Sequence, residues 1–301
     1  MVDLTDCKEL TNKFGGSEKK KTILYNNRRY MVKFPDRVRE MNNELSYMNN
    51  VFSEDIGCKI YKLLGFETQN TFLATYNMQN GENRIVVACE DFTDNNKTLI
   101  EFHKLSLQYL ESDSIRTRAN IDNIMIVIDS NDNISDKEKM KEFFWDMFIV
   151  DGFIGNSDRN LDNWGVLEDS NGILTPAPIY DCGSSLSPLY TENKMNDILN
   201  NKNLFKREEY NVYSCYRINH KRILFSDIMK NPPAELEKAI RRICPIIEEK
   251  LPLIGKNIDD TPKMPPMHRK YMKESLGLRY KQIIKPAIKA YCLDNNNRLT
   301  K

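Results

Sequence analysis

The chain is 301 residues long, 40% hydrophobic and 10% aromatic, which is apolar material for one large domain or two coupled ones. Forty-four basic against forty-three acidic side chains leave a formal charge of +1, so no global field of either sign favours unselective binding of nucleic acid or an anionic membrane. The longest apolar run, Phe143 to Ile154, is broken by Asp146 and Asp151 and is too short to span a bilayer.

The opening stretch MVDLTDCKEL carries acids where a secretory signal needs a basic flank and an unbroken apolar segment. Seven cysteines (Cys7, Cys58, Cys89, Cys182, Cys215, Cys244 and Cys292) are scattered singly, which fits neither a disulfide framework nor a zinc site. A reduced, cytoplasmic setting is expected. His103, His220 and His268 lie far apart and read as exposed or packed rings rather than metal ligands.

In chain order, Phe14-Gly15-Gly16-Ser17-Glu18-Lys19 is a glycine turn whose backbone N–H groups can approach an anion. Residues 22–34 then read as a hairpin on Asn26-Asn27, with Tyr30, Val32 and Phe34 on one face and Lys33 on the other. From 44 to 65 the apolar residues fall at spacings of three and four, predicting an amphipathic helix stopped by Gly65. TFLATY and RIVVAC predict two strands about Asn80-Gly81. Beyond Phe92 the chain reads as mostly helical, with helices over 136–154, 232–251 and 266–292. A small sheet-rich lobe, residues 1–92, thus precedes a larger helical one, residues 93–301.

The stretch that carries chemistry is GNSDRNLDNW, residues 155–164, on the end of the apolar helix. A hairpin follows, running out from Asn163 and returning to Asp181, so Asp158, Asn163 and Asp181 are expected at one edge as hard oxygen donors of the kind magnesium takes. The order matches the phosphoryl-transfer toolkit: a glycine turn, a strand lysine (Lys33), a helix glutamate (Glu54), an aspartate with asparagine five residues on, then Asp181-Cys182-Gly183. A lone D-x-G occurs by chance in most chains; the ordered set does not.

With PIYDCGSSL after it, GNSDRNLDNW resembles the HipA-like serine/threonine kinases, distant relatives of phosphatidylinositol kinases. RRYMVKFP, NELSYMNNVFSEDIGCKI, IVVACEDFT, FFWDMFIVDGFIGN and DDTP extend the resemblance to a short member of that family over roughly the whole chain. It implies an α+β, bilobal protein-kinase-like fold and a kinase that uses ATP with Mg2+ or Mn2+. It also implies Asp158 as catalytic aspartate, Asn163 and Asp181 as metal ligands, Lys33 on the α- and β-phosphates and Glu54 as its partner, with Glu44 a rival. The backbone of Glu90, Asp91 and Phe92 would meet adenine, and Gly15, Gly16, Ser17, Glu18 and Lys19 would cover the phosphates.

Three departures from the family pattern stand out. Asn160, counted with the ATP-binding residues, takes the place of a histidine that helps stabilise the transferring group, and asparagine carries no positive charge. Only fourteen residues precede Gly15, where long family members carry a further subdomain, expected to be missing or supplied by another chain. Ser17 lies where relatives autophosphorylate, with Thr11 and Thr22 as rival acceptors. Family habit suggests a protein substrate with a Ser or Thr acceptor, a growth-arresting role and an antitoxin partner. Rival readings are a nucleotide-binding module without catalysis, or a kinase acting on an RNA or lipid hydroxyl; the charge balance disfavours the lipid. Trp145 and Trp164 read as packing groups, and the basic residues Lys19 to Lys21, Arg241, Arg242, Lys270 and Lys273 as solvated.

Overall fold

The computed structural model describes residues 1–11, 20–35, 49–93, 96–110 and 119–293. Strands β1 (Val2–Asp3), β2 (Lys8–Leu10), β3 (Lys20–Tyr25) and β4 (Arg28–Lys33) open the chain. Between β3 and β4, Asn26 and Asn27 hold φ of 47° and 60°, the two left-handed positions of a tight hairpin turn that asparagine tolerates. After helix α1 (Asn50–Leu63), strands β5 (Thr71–Asn77) and β6 (Asn83–Glu90) turn about Gly81, at φ 81°. The six strands form one sheet in the order β1-β5-β6-β4-β3-β2, with β1 parallel to β5. Two of them, β1 and β2, lay beyond the sequence reading: two or three residues carry no measurable period.

Alternation along β4 sorts its side chains as expected. Tyr30, Val32 and Phe34 join Leu4, Ile23, Ala74, Val86 and Ala88 in a small core on one face of the sheet. Lys33 lies on the other face, toward α1. The helix expected over 44–65 is described from Asn50, its first residues lying outside the described segments, and it is not amphipathic in effect. Ile56, Ile60 and Tyr61 are fully buried, and so are Ser53, Glu54 and Asp55, because α1 is wedged between the sheet and the second half of the chain.

That second half begins with β7 (Lys97–Glu101), α2 (Phe102–Ser106), α3 (Ile121–Ser130) and α4 (Lys137–Ile154). Asp136 caps α4, its carboxylate accepting the Lys139 N–H at 3.0 Å, and Gly155 ends it at φ 70°. β8 (Gly165–Asp169) and β9 (Leu174–Pro176) form the expected hairpin, but shorter than expected and with β7 added on its far side. Its ladder ends at Val166↔Pro176, after which the chain bridges to Thr68 through Ile179. Pro176 and Pro178 lack the N–H that a longer ladder would need.

Next come α5 (Glu192–Asn200), α6 (Lys202–Tyr210), the ribbon β10 (Tyr213–Ile218) and β11 (Lys221–Leu224), and α7 (Phe225–Ile228). α8 (Ala234–Asp259) runs past the expected end at 251 through Pro245 and Pro252, whose rings sit on its exposed side. α9 (Pro266–Arg279) continues through a π-helical turn, Tyr280–Ile284, into α10 (Lys285–Tyr291), matching the expected 266–292. Among the described residues no helix is long and apolar enough to cross a membrane. The architecture is α+β, a curled sheet with one helix followed by a mainly helical part.

Candidate active site

The site forms where the inner face of β4, helix α1 and the loops after α4 and β9 converge. Lys33 leaves β4 toward α1, and its Nζ lies 3.1 Å from Glu54 Oε2 and 2.6 Å from Asp181 Oδ1. Lys33 thus pairs with Glu54; Glu44 lies outside the described residues. Burial pushes the Glu54 carboxyl up from its ordinary value, with Lys33 opposing. Burial also acts to raise Asp181, but the charge and hydrogen bond of Lys33, with Arg159 and Lys20, together hold that carboxyl below the usual range.

Asp181 sits at φ 55°, a left-handed conformation that costs about 1 kcal/mol and that the surrounding contacts must sustain. The two residues after it explain the D-C-G spacing. Cys182 packs against Gly57 of α1, where a β-carbon would stand 2.5 Å from the cysteine's own Cβ. A β-carbon at Gly183 would stand 3.1 Å from Glu54 Oε2. Helix and segment therefore touch through missing side chains, and Glu54 reaches Lys33 across that contact.

The loop after α4 supplies Asp158, Asn160 and Asn163. Asn163 Nδ2 donates to the Asp158 carbonyl at 2.6 Å, which leaves Oδ1 as the acceptor end of that amide. Asn160 Nδ2 donates to Asp158 Oδ1 at 3.2 Å, while its own Oδ1 accepts the Asp162 N–H at 2.8 Å. The Asp158 side chain is exposed on the loop, and its carboxyl is raised by partial desolvation, with the Asp181 charge adding and the Asn160 hydrogen bond opposing.

Arg159, which the sequence reading passed over, is buried beneath this loop. Its Nε donates to both Asp151 oxygens on α4, at 3.0 and 3.3 Å. Nη1 donates to the carbonyls of Asn163, at 2.7 Å, and Tyr180, and Nη2 to Cys182 Sγ at 3.3 Å. A carboxylate inside an apolar helix was the one signal that could have pointed to it, because a buried Asp151 needs a cation.

The expected hinge is only partly open to a ligand. The Glu90 N–H donates to Asn70 O, its carbonyl accepts from Gln69 Nε2, and its carboxylate holds Arg28 and Asn70. The Asp91 N–H is taken by Arg29 O. Among the described residues this leaves the Asp91 carbonyl and the Phe92 N–H, beside a ring contact of 5.9 Å between Phe92 and Tyr180. The glycine turn Gly15, Gly16, Ser17, Glu18 and Lys19 lies outside the described residues. Trp164 stacks on Phe102 at 4.2 Å inside the core, and Trp145 is buried too, as packing groups.

A strand lysine tied to a helix glutamate, facing an Asp–Asn pair and a second aspartate across the junction of a curled sheet and a helical part, is the arrangement of a protein-kinase-like phosphotransferase. The chain is 35% identical over 289 residues to the serine/threonine-protein kinase CtkA of Helicobacter pylori, covering 94% of this chain and 86% of that one. The crystal structure of the proinflammatory kinase CtkA of Helicobacter pylori superposes with a TM-score of 0.87 at 34% identity, covering 97% of each chain. HipA, from a toxin–antitoxin complex of Shewanella oneidensis with HipB and operator DNA, shares the fold at a TM-score of 0.54 and 13% identity, over 91% of this chain and 65% of HipA. No family model matches the sequence. The chain belongs to the family of the serine/threonine-protein kinase CtkA and shares its fold with HipA.

Proposed function

We propose that this kinase binds ATP with Mg2+ between two lobes, residues 1–92 and 93–301, and transfers the γ-phosphoryl group to a Ser or Thr hydroxyl of a protein. The observation that carries the reading is the contact of Lys33 with both Glu54 and Asp181. Among the described residues no cluster of three His, Cys, Asp or Glu side chains forms a ready-made metal cage. The donor set nevertheless suits magnesium, which takes few protein oxygens and completes its shell with phosphates and water. Asp181 and Asn163 Oδ1 would be those oxygens. When bound, the metal supplies charge neutralisation at the phosphates.

The chain's own residues do the rest. Lys33 holds phosphate oxygens by charge, and Glu54 keeps its ammonium in place. Asp158, with a carboxyl raised above its ordinary value and a hydrogen bond from Asn160 fixing its direction, orients the acceptor hydroxyl and takes its proton. The Asp91 carbonyl and Phe92 N–H meet adenine, and Gly15 to Lys19 close over the phosphates, with Ser17 the favoured autophosphorylation site. An antitoxin-type partner for this chain follows from the likeness to HipA and belongs to the same proposal.

The test is intact mass and phosphopeptide mapping after incubation with Mg·ATP, beside an Asp158→Asn control. Phosphate on the wild type alone supports the reading, and the variant should lose about 10²–10⁴-fold in rate. Phosphate on neither protein despite ATP binding would replace it with a nucleotide-binding module.

A further inference from the structure

The proposed metal ligands Asn163 and Asp181 lie on different segments, the loop after α4 and the chain leaving β9. The β8–β9 ladder does not reach them: its register ends at Val166↔Pro176, with one further bond from the Ala177 N–H to the Gly165 carbonyl. The Tyr180 hydroxyl crosses the gap to the Asp162 carbonyl at 3.1 Å, and one guanidinium ties the flanks of the two ligand residues themselves. Arg159 Nη1 donates both to the carbonyl of Asn163 itself and to that of Tyr180, the residue before Asp181. Its Nη2 reaches Cys182 Sγ, on the residue after Asp181.

This guanidinium cannot wander. Asp151 grips Nε from the last turns of α4, and Asn156 Nδ2 donates to Asp151 Oδ1 at 3.0 Å, orienting the carboxylate in turn. The Tyr61 ring of α1 lies 5.9 Å from the Arg159 guanidinium carbon, and Cys215 Sγ donates to the Arg159 carbonyl at 2.8 Å. The Arg159 side chain is 1% exposed and that of Asp151 7%. A planar fork with fixed donor directions sets the spacing of two backbone segments in a way that a single ammonium cannot.

We infer that Arg159, anchored by Asp151, is a positioning residue that sets the distance between Asn163 and Asp181 and thereby the affinity of the site for the divalent cation that accompanies ATP. The inference rests on the proposed Mg·ATP site. It assigns the pair a task distinct from stabilising the fold: metal-free nucleotide, held by Lys33 and the hinge, does not depend on that spacing, whereas metal-dependent binding does. A cation demanding near-ideal octahedral geometry, as Mg2+ does, suffers more from a mis-set pair than Mn2+, which binds N and O donors with less insistence on geometry.

The experiment is calorimetric titration of the full chain with ATP at a series of Mg2+ concentrations and in chelator, for wild type, Arg159→Lys and Asp151→Asn, with circular dichroism to confirm folding. For Arg159→Lys the Mg2+ concentration at half-maximal ATP affinity should rise about tenfold or more, as expected when an outer partner of a metal ligand is lost. Metal-free ATP affinity should stay at the wild-type level, and Mn2+ should restore much of the loss. Asp151→Asn, which keeps the guanidinium but weakens its grip, should shift the Mg2+ requirement in the same direction by less, and it decides the matter if Arg159→Lys does not fold. An unchanged Mg2+ requirement in folded variants, or an equal fall in metal-free binding, overturns the assignment. A wild-type protein whose ATP binding ignores Mg2+ removes the proposed site itself and this inference with it, an outcome distinct because it appears before any substitution.

Discussion

Lys33 and Asp181, 148 residues apart in the chain, meet at 2.6 Å, and through this one contact the inner face of the sheet is tied to the segment after β9. The lysine balances Asp181 and Glu54 together, two carboxylates that would otherwise face each other across a partly buried gap. Replacing Lys33 with Met removes that balance. ATP affinity should drop steeply and turnover by about 10²–10³-fold, the scale found when a donor to developing charge is deleted. Fluorescence titration with an ATP analogue, beside single-turnover kinetics, checks both.

Asn160 behaves here as a structural clamp on Asp158. Its amide donates to the carboxylate and accepts from the Asp162 backbone, so its atoms are committed within the loop. Asn160→Ala should lower kcat about tenfold, the worth of one hydrogen bond to a charged group, and leave ATP affinity unchanged. Steady-state kinetics over a range of ATP concentrations separates the two parameters.

Gly57 tests the helix contact. In Gly57→Ala the new methyl would meet the Cys182 β-carbon at 2.5 Å, and since that atom is fixed to backbone, α1 must move off the D-C-G segment. Stability should fall by about 1–3 kcal/mol, and the Lys33–Glu54 pairing should weaken with it. Urea unfolding and an activity assay on the folded fraction measure the two effects.

His268 makes the protein sensitive to acid. It lies edge-on to Phe52 of α1, and burial, partly opposed by the Leu186 backbone, lowers its pKa from 6.5 to about 4. Because the folded value is the lower one, the unfolded chain binds a proton that the native state refuses. The stability held above pH 6.5 is therefore lost as pH falls toward 4, reaching about 2 kcal/mol at pH 5. His268→Leu should remove this part of the pH dependence while changing stability at pH 7 much less. Denaturant melts at pH 7 and pH 5 make the comparison.

Some of this geometry was readable in one dimension. Alternation from Tyr30 to Phe34 on an Asn-Asn turn places Lys33 on the inner face, and the apolar run ending at Gly155 places Asp158 on a rigid stem, because both depend on local periods. Glu54 was distinguishable from Glu44 only weakly, since helical spacing does not say which glutamate faces the sheet. For Arg159 the sequence offered only Asp151 inside an apolar helix, a carboxylate in want of a cation; the rest of its work is done on backbone carbonyls, which leave no pattern in side-chain identity. The extension of α8 through Pro245 and Pro252 was missed because exposure of the two rings, not their presence, decides whether a helix survives them.

The thiols of Cys58, Cys89 and Cys182 are buried around the junction of α1, the sheet and the D-C-G segment, and burial is the main force raising the Cys89 thiol well above its ordinary pKa. Cys7, Cys215 and Cys292 are only partly covered. The protein therefore carries its own clock. Alkylation of the inner three, and of the equally buried Cys244 in α8, must wait for local opening, so with reagent in excess the rate at which each is modified, read by peptide mass, reports how often its own surroundings part.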